Sequence, residues 1–190
     1  TDYFIPLKYT EPEITLDNLN IDAFPDLLSQ YDTPYDVTNQ NKKNNLEIAM
    51  NKINGIILRP GETFSYNKTL GARTIENGYK EAPIYSNGKI VNGLGGGICQ
   101  GSTTLYNAVV LADLKVVERQ NHMFIPSYVK PGCDATVVYG SIDFKFTNTR
   151  DYPIKIVSSA NNGVARVSIY GIYKEKEYTI QIETKTLEIT

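Results

Sequence analysis

A glycine cluster that runs straight into an apolar helix is the feature that most constrains this chain. Gly93-Leu-Gly-Gly-Gly-Ile-Cys-Gln-Gly-Ser-Thr-Thr-Leu-Tyr-Asn-Ala starts as a loop that only glycine-rich backbone can follow. It continues as a helix, because Leu105, Ala108, Val109 and Ala112 recur on one face. Ser102 or Thr103 is the expected N-cap, with Cys99 just before or at the helix start. An earlier helix is predicted from Leu46, Ala49, Met50 and Ile53, stopped by Asn54-Gly55.

Most of the remaining pattern is β. Short strands are expected at 3–7, 56–58, 63–66, 115–119, 122–129, 135–139, 142–146, 152–157, 164–170 and 178–183. Asn87-Gly88 and Asn161-Asn-Gly are hairpin signals. Ala23-Phe-Pro-Asp-Leu-Leu reads as a helical turn or two. The expected fold class is α+β: a mainly antiparallel sheet with a glycine-loop-to-helix element carrying a Cys at the helix N-terminus. Residues 1–40 read as a lead-in, set off by the polar stretch from Thr38, and 41–190 as the main domain. The chain reads as a piece of a longer protein, its strand-like 177–189 leading towards a further domain.

Composition removes several function classes. Apolar residues make up 41% of the 190 and charged residues 21%, which suits a folded domain. Lys+Arg 19 against Asp+Glu 21 gives a net charge of −2, which argues against a nucleic-acid partner. One His and two Cys cannot build a Cys/His zinc cluster or a disulfide scaffold, so no metal is expected. The glycine cluster lacks the Gly-Lys-Ser/Thr ending of a phosphate loop and the dinucleotide spacing, so neither a nucleotide nor any other cofactor is expected. No apolar run is long enough to span a membrane.

Cys99 is the candidate nucleophile, since a helix N-terminus favours the thiolate. N–H groups around it, at Gly97, Cys99, Gln100 and Ser102, are candidate oxyanion or substrate donors. A buried, inert thiol is the plain alternative. His122 is the single histidine and the candidate base. A hairpin folded about Pro131-Gly132 would set His122 opposite Ser141, which favours Asp143 over Asp134 as the group that orients the ring. Asn121 is a further possibility. Cys133, in a turn, is expected to be free and partly exposed.

These residues carry a family resemblance. Arg59-Pro-Gly-Glu-Thr-Phe-Ser-Tyr-Asn, Gly71-Ala-Arg-Thr, Gly95-Gly-Gly-Ile-Cys-Gln with Ser102-Thr-Thr-Leu-Tyr-Asn-Ala, Asn121-His, Gly132-Cys-Asp-Ala-Thr-Val and Asp143-Phe-Lys-Phe-Thr-Asn resemble the VanW family, named from vancomycin-resistance gene clusters. The resemblance runs from about Asn44 to Gly171. It implies a peptidoglycan L,D-transpeptidase acting outside the cytoplasm on stem peptides, with Cys99 as nucleophile and His122 as its partner. Arg73, Arg119 or Lys80 are then candidates for stem carboxylates, and Tyr106 and Tyr128 for the groove wall. Gly101 departs from the family's usual aliphatic residue, and Cys133 from a common basic one. The alternatives in other classes are an L,D-carboxypeptidase, a wall-binding module with an inert Cys, and a structural adaptor.

Overall fold

The computed structural model describes residues 23–86 and 89–185. The elements run β1 (Asp26–Pro34), α1 (Gln40–Ile53), β2 (Ile57–Leu58), β3 (Thr63–Ser65), α2 (Tyr66–Leu70), β4 (Glu81–Ser86), β5 (Lys89–Leu94), α3 (Ile98–Leu111), β6 (Lys115–Glu118), β7 (Lys145–Thr147), β8 (Ile154–Asn161) and β9 (Val164–Gly171). They form a mixed α+β fold with antiparallel pairing throughout. The main sheet has strand order β1-β9-β8-β2. A three-stranded sheet, β3-β7-β6, and the β4-β5 hairpin lie outside it.

Sequence chemistry explains the elements that position the site. Asn162-Gly163 closes the β8–β9 hairpin, with φ of 51° and 80° at the two positions, as a tight hairpin turn requires. Along β8, Ile154, Ile156, Ser158 and Ala160 turn inward in strict alternation. Both long helices cover the main sheet, α1 over β8 and α3 over β1 and β9, and they also touch each other. Leu46, Met50 and Ile53 of α1 and Leu105 of α3 are wholly buried in the shared core. Each such side chain contributes roughly 1.5–3 kcal/mol by leaving water.

Several elements differ from the sequence reading. Helix α1 begins at Gln40, inside the polar stretch, because Asn39 caps it by accepting the Lys42 N–H at 3.0 Å. Helix α3 begins at Ile98, so Ser102 and Thr103 are interior residues and not caps. Residues 26–28 open a strand and not a helical turn; β1 pairs along β9 from Asp26 to Pro34. Buried polar groups seat β1 on α3: Ser29 donates to the Ala108 carbonyl at 2.6 Å, and Thr33 meets Thr104 at 2.8 Å.

Residues 122–129 form a loop and not a strand. Gln120 pairs with Thr136, which closes the whole stretch between them as an excursion containing Pro126 and Pro131. Residues 135–139 and 142–144 carry only isolated bridges, and 178–183 forms no strand. The expected strand at 3–7 and the turn residues Asn87-Gly88 lie outside the described residues. Among the described residues, no helix is long and apolar enough to cross a membrane.

Candidate active site

The glycine turn is shaped by its neighbours. A Cβ at Gly96 would fall 2.6 Å from the Ala82 carbonyl oxygen of β4. Gly97 caps α3 with a left-handed φ of 105°, and a Cβ there would fall 2.6 Å from Lys42 Cγ. The turn is thus wedged between β4 and α1. Buried Asn45 of α1 clamps it, donating to the carbonyls of Gly96 (3.0 Å) and Lys80 (2.8 Å) while accepting the Lys80 N–H (2.8 Å). The sequence reading missed Asn45, whose only signal is an asparagine on the apolar face of a helix.

This wedge delivers Cys99 as the second residue of α3, half-buried and not disulfide-bonded. Its sulfur lies 3.7 Å from Thr136 Oγ1 and 3.5 Å from both the Val137 carbonyl oxygen and the Val137 N–H nitrogen. Burial pushes the thiol up. A hydrogen bond from His122 and the charge of that ring, helped by Val137 and Thr136, outweigh it and hold the thiol below its ordinary value. His122 is the mirror case. Burial pushes it down, while hydrogen bonding and charge at Cys99, then at Asp134, pull it above its ordinary value. Each charged form stabilises the other.

Asp134 orients the imidazole. Its Oδ2 lies 2.6 Å from His122 Nδ1 and accepts the His122 backbone N–H, also at 2.6 Å. One carboxylate oxygen therefore fixes both the ring and the backbone that carries it. With Nδ1 committed, Nε2 is the nitrogen left for the sulfur. Arg119 braces the backbone that carries this carboxylate, donating from Nε to the Asp134 carbonyl at 2.7 Å and from Nη2 to the Gly132 carbonyl at 2.8 Å, and its Nη2 lies 3.4 Å from Asp134 Oδ1. It sits over the Tyr106 ring, 5.2 Å from the centroid.

The expected partner, Asp143, serves elsewhere. It accepts from Ser65 Oγ (2.6 Å) and from the N–H groups of Asn67 and Phe144 (2.8 Å each), tying the start of α2 to the chain before β7. The assumed hairpin about Pro131-Gly132 does not form, so the register that placed Asp143 beside His122 does not apply. The Gln120–Thr136 pairing instead returns the chain at Asp134.

Other expected site residues take structural posts. Gln100 donates to Thr33 Oγ1 (3.1 Å) and to the Pro34 carbonyl (2.7 Å), joining α3 to β1. Ser102 is fully buried and donates to the Ala135 carbonyl at 2.7 Å. Arg119 turns to Asp134 and away from the cleft. Asn121 reaches the His122 carbonyl and not its ring. Tyr106 packs edge-on to Phe144, and Lys80 is exposed and lies outside the cleft lining. Cys133 is buried, contrary to the expected partial exposure. Gly97, Gln100, Arg73 and Tyr128 do line the cleft with Cys99 and His122. That cleft encloses about 420 Å³.

Comparison with known proteins bears on what the cleft belongs to. The family model described as VanW like protein matches residues 41–170. The chain belongs to the VanW family. It is 41% identical over 143 residues to YoaR of Bacillus subtilis (strain 168), described as uncharacterized, covering 75% of this chain and 47% of that protein. It is 32% identical over 136 residues to the vancomycin B-type resistance protein VanW of Enterococcus faecalis (strain ATCC 700802 / V583), covering 68% of this chain and 49% of that one. The chain thus spans about half the length of these curated relatives. No solved structure matches it.

In this VanW-family chain, the N–H of Ile98 donates to Gly95 and that of Gln100 to Gly97. The Cys99 N–H lies between them at the second helical position, where helix donors have no intrahelical acceptor. The Cys99 sulfur and the Cys99 N–H therefore share one helix tip, with the His122 ring of the following loop beside them.

Proposed function

We propose that this chain is the catalytic part of a peptidoglycan L,D-transpeptidase working on the wall side of the membrane. The observation that carries the reading is the Cys99–His122–Asp134 relay opening into the cleft. Family membership, with a relative named for vancomycin resistance, supports a cell-wall role.

The donor is a tetrapeptide stem. The Cys99 sulfur, reacting as the thiolate that His122 favours, attacks the carbonyl that joins the third residue, a diamino acid, to the terminal D-Ala. The carbonyl oxygen takes up the negative charge and is met by the Cys99 N–H. The C–N bond then breaks, and the leaving D-Ala amine takes the proton held by His122. A thioester remains, with His122 neutral. The side-chain amine of a neighbouring stem attacks this thioester and gives its proton to His122. The thiolate departs, the 3→3 cross-link is complete, and the thiolate–imidazolium pair is restored. Asp134 holds the ring in one tautomer through both steps.

Incubation with tetrapeptide stems, with and without an acceptor stem, tests the reading. The expected result is D-Ala release with 3→3 dimers when acceptor is present, lost in Cys99→Ala. Release of D-Ala without any dimer would make the protein a carboxypeptidase. Undiminished dimer formation by Cys99→Ala would remove Cys99 from the chemistry.

A further inference from the structure

The cleft is cationic in a chain whose net charge is −2. Lys42 and Arg73 line it, and no Asp or Glu is among its lining residues. Each cation is seated on a tyrosine of the same wall. Lys42 Nζ lies 5.8 Å from the Tyr128 ring centre, and the Arg73 guanidinium 5.2 Å from that of Tyr139. Among the described residues, neither is ion-paired with a carboxylate. Asp36 is the described carboxylate that feels the Lys42 charge, and it is exposed and engaged by Thr38.

Both cations are held in place by contacts that leave charge available. Arg73 is braced through Nη1 to the Gly71 carbonyl (2.7 Å) and through Nη2 to Asn67 Oδ1 (2.5 Å), which leaves its remaining N–H donors without those partners. The stem of Lys42 runs beside Gly97, where any Cβ would displace it. Glycine at the helix cap therefore makes room for a lysine next to the nucleophile turn.

From this geometry we infer that Lys42 and Arg73 are the carboxylate-recognising pair of the cleft, and that its acyl donor must carry a free carboxylate beside the scissile bond. The identity of that donor as a stem peptide rests on the transpeptidase reading; the anion preference does not. Lys42 has no warning in the sequence, where it is one of two adjacent lysines in a polar stretch.

Two alkylating probes test the pair. Iodoacetate is anionic and iodoacetamide neutral, and in both the Cys99 sulfur bonds to the CH2 carbon as iodide leaves to solvent. The ratio of their rates reports the charge around the sulfur apart from its ionisation. Lys42→Met and Arg73→Gln should each lower that ratio about three- to tenfold; Lys42→Arg should preserve it. A ratio unmoved by both substitutions overturns the assignment. A second measurement titrates Cys99→Ala protein with a tetrapeptide stem and its C-terminal amide by calorimetry. Tighter binding of the acid, abolished by Lys42→Met, supports the pair and the stem together. A lowered alkylation ratio with no preference for the stem acid keeps the carboxylate pair and removes the stem peptide as donor.

Discussion

Replacing Asp134 by asparagine keeps the size of the side chain and removes the charge that faces His122 Nδ1 at 2.6 Å. The imidazolium loses support, so His122 moves down and Cys99 up. Iodoacetamide labelling of Cys99 at pH 7 should slow by about tenfold for each unit the thiol rises. The same change at Asp143 turns one of the two oxygens that accept from Ser65, Asn67 and Phe144 into an NH2 donor. It should cost about 1–3 kcal/mol of stability in denaturant melts and leave the pH profile of labelling in place. Equal effects of the two substitutions on labelling would contradict the assignment of roles. The sign with pH follows from the raised and lowered groups. Wild-type labelling should reach half-maximum below the ordinary thiol value of 9.0. His122→Ala removes the main influences that lower the thiol and leaves the burial that raises it, so the midpoint should move upward. At this scale the sequence pointed to the sulfur and the imidazole that the fold brings together, because each is nearly the sole residue of its type. It did not disclose which of two aspartates meets the ring, because that depends on a pairing sixteen residues apart, Gln120 to Thr136.

At the scale of elements, the start of α3 is under tight steric control. A Cβ at Gly101 would come within 2.5 Å of the Tyr66 hydroxyl, which donates to the Ile98 carbonyl at 3.2 Å. Burial keeps that tyrosine protonated and able to donate. The space beside Gly101 is thus filled by a neighbouring hydroxyl. Gly101→Ala should lower the melting temperature, and adding Tyr66→Phe should recover part of the loss by vacating the space. Independent, additive losses in the double variant would argue against that coupling. Helical spacing made α1 and α3 legible, and Asn162-Gly163 marked its hairpin. The start of α3 was misjudged because Ser102 and Thr103 are good caps by type, yet both are buried and turned to Ala135. The true cap, Gly97, uses a left-handed backbone and no side-chain hydrogen bond.

For the whole molecule, the family match begins at residue 41, but the main sheet includes β1 at Asp26–Pro34. This strand pairs along β9 and is stitched to α3 by Ser29, Thr33 and Gln100. A chain starting at Thr38 should therefore melt at a markedly lower temperature than one starting at Asp26, with β9 left as an open edge. Matching melts would show that β1 is dispensable. The composition and periodicity of 1–40 gave no hint of this role, since β1 mixes polar and apolar residues and draws its stability from contacts more than 60 residues away. The same long-range packing brings the helix tip, the returning Asp134 and the Lys42 face of α1 around one cleft. Intact-protein mass spectrometry after mixing with tetrapeptide stems tests that convergence most directly. The account predicts a tripeptidyl thioester on Cys99 that clears when acceptor stem is added. Release of D-Ala or formation of dimer by protein that never carries this adduct would contradict it.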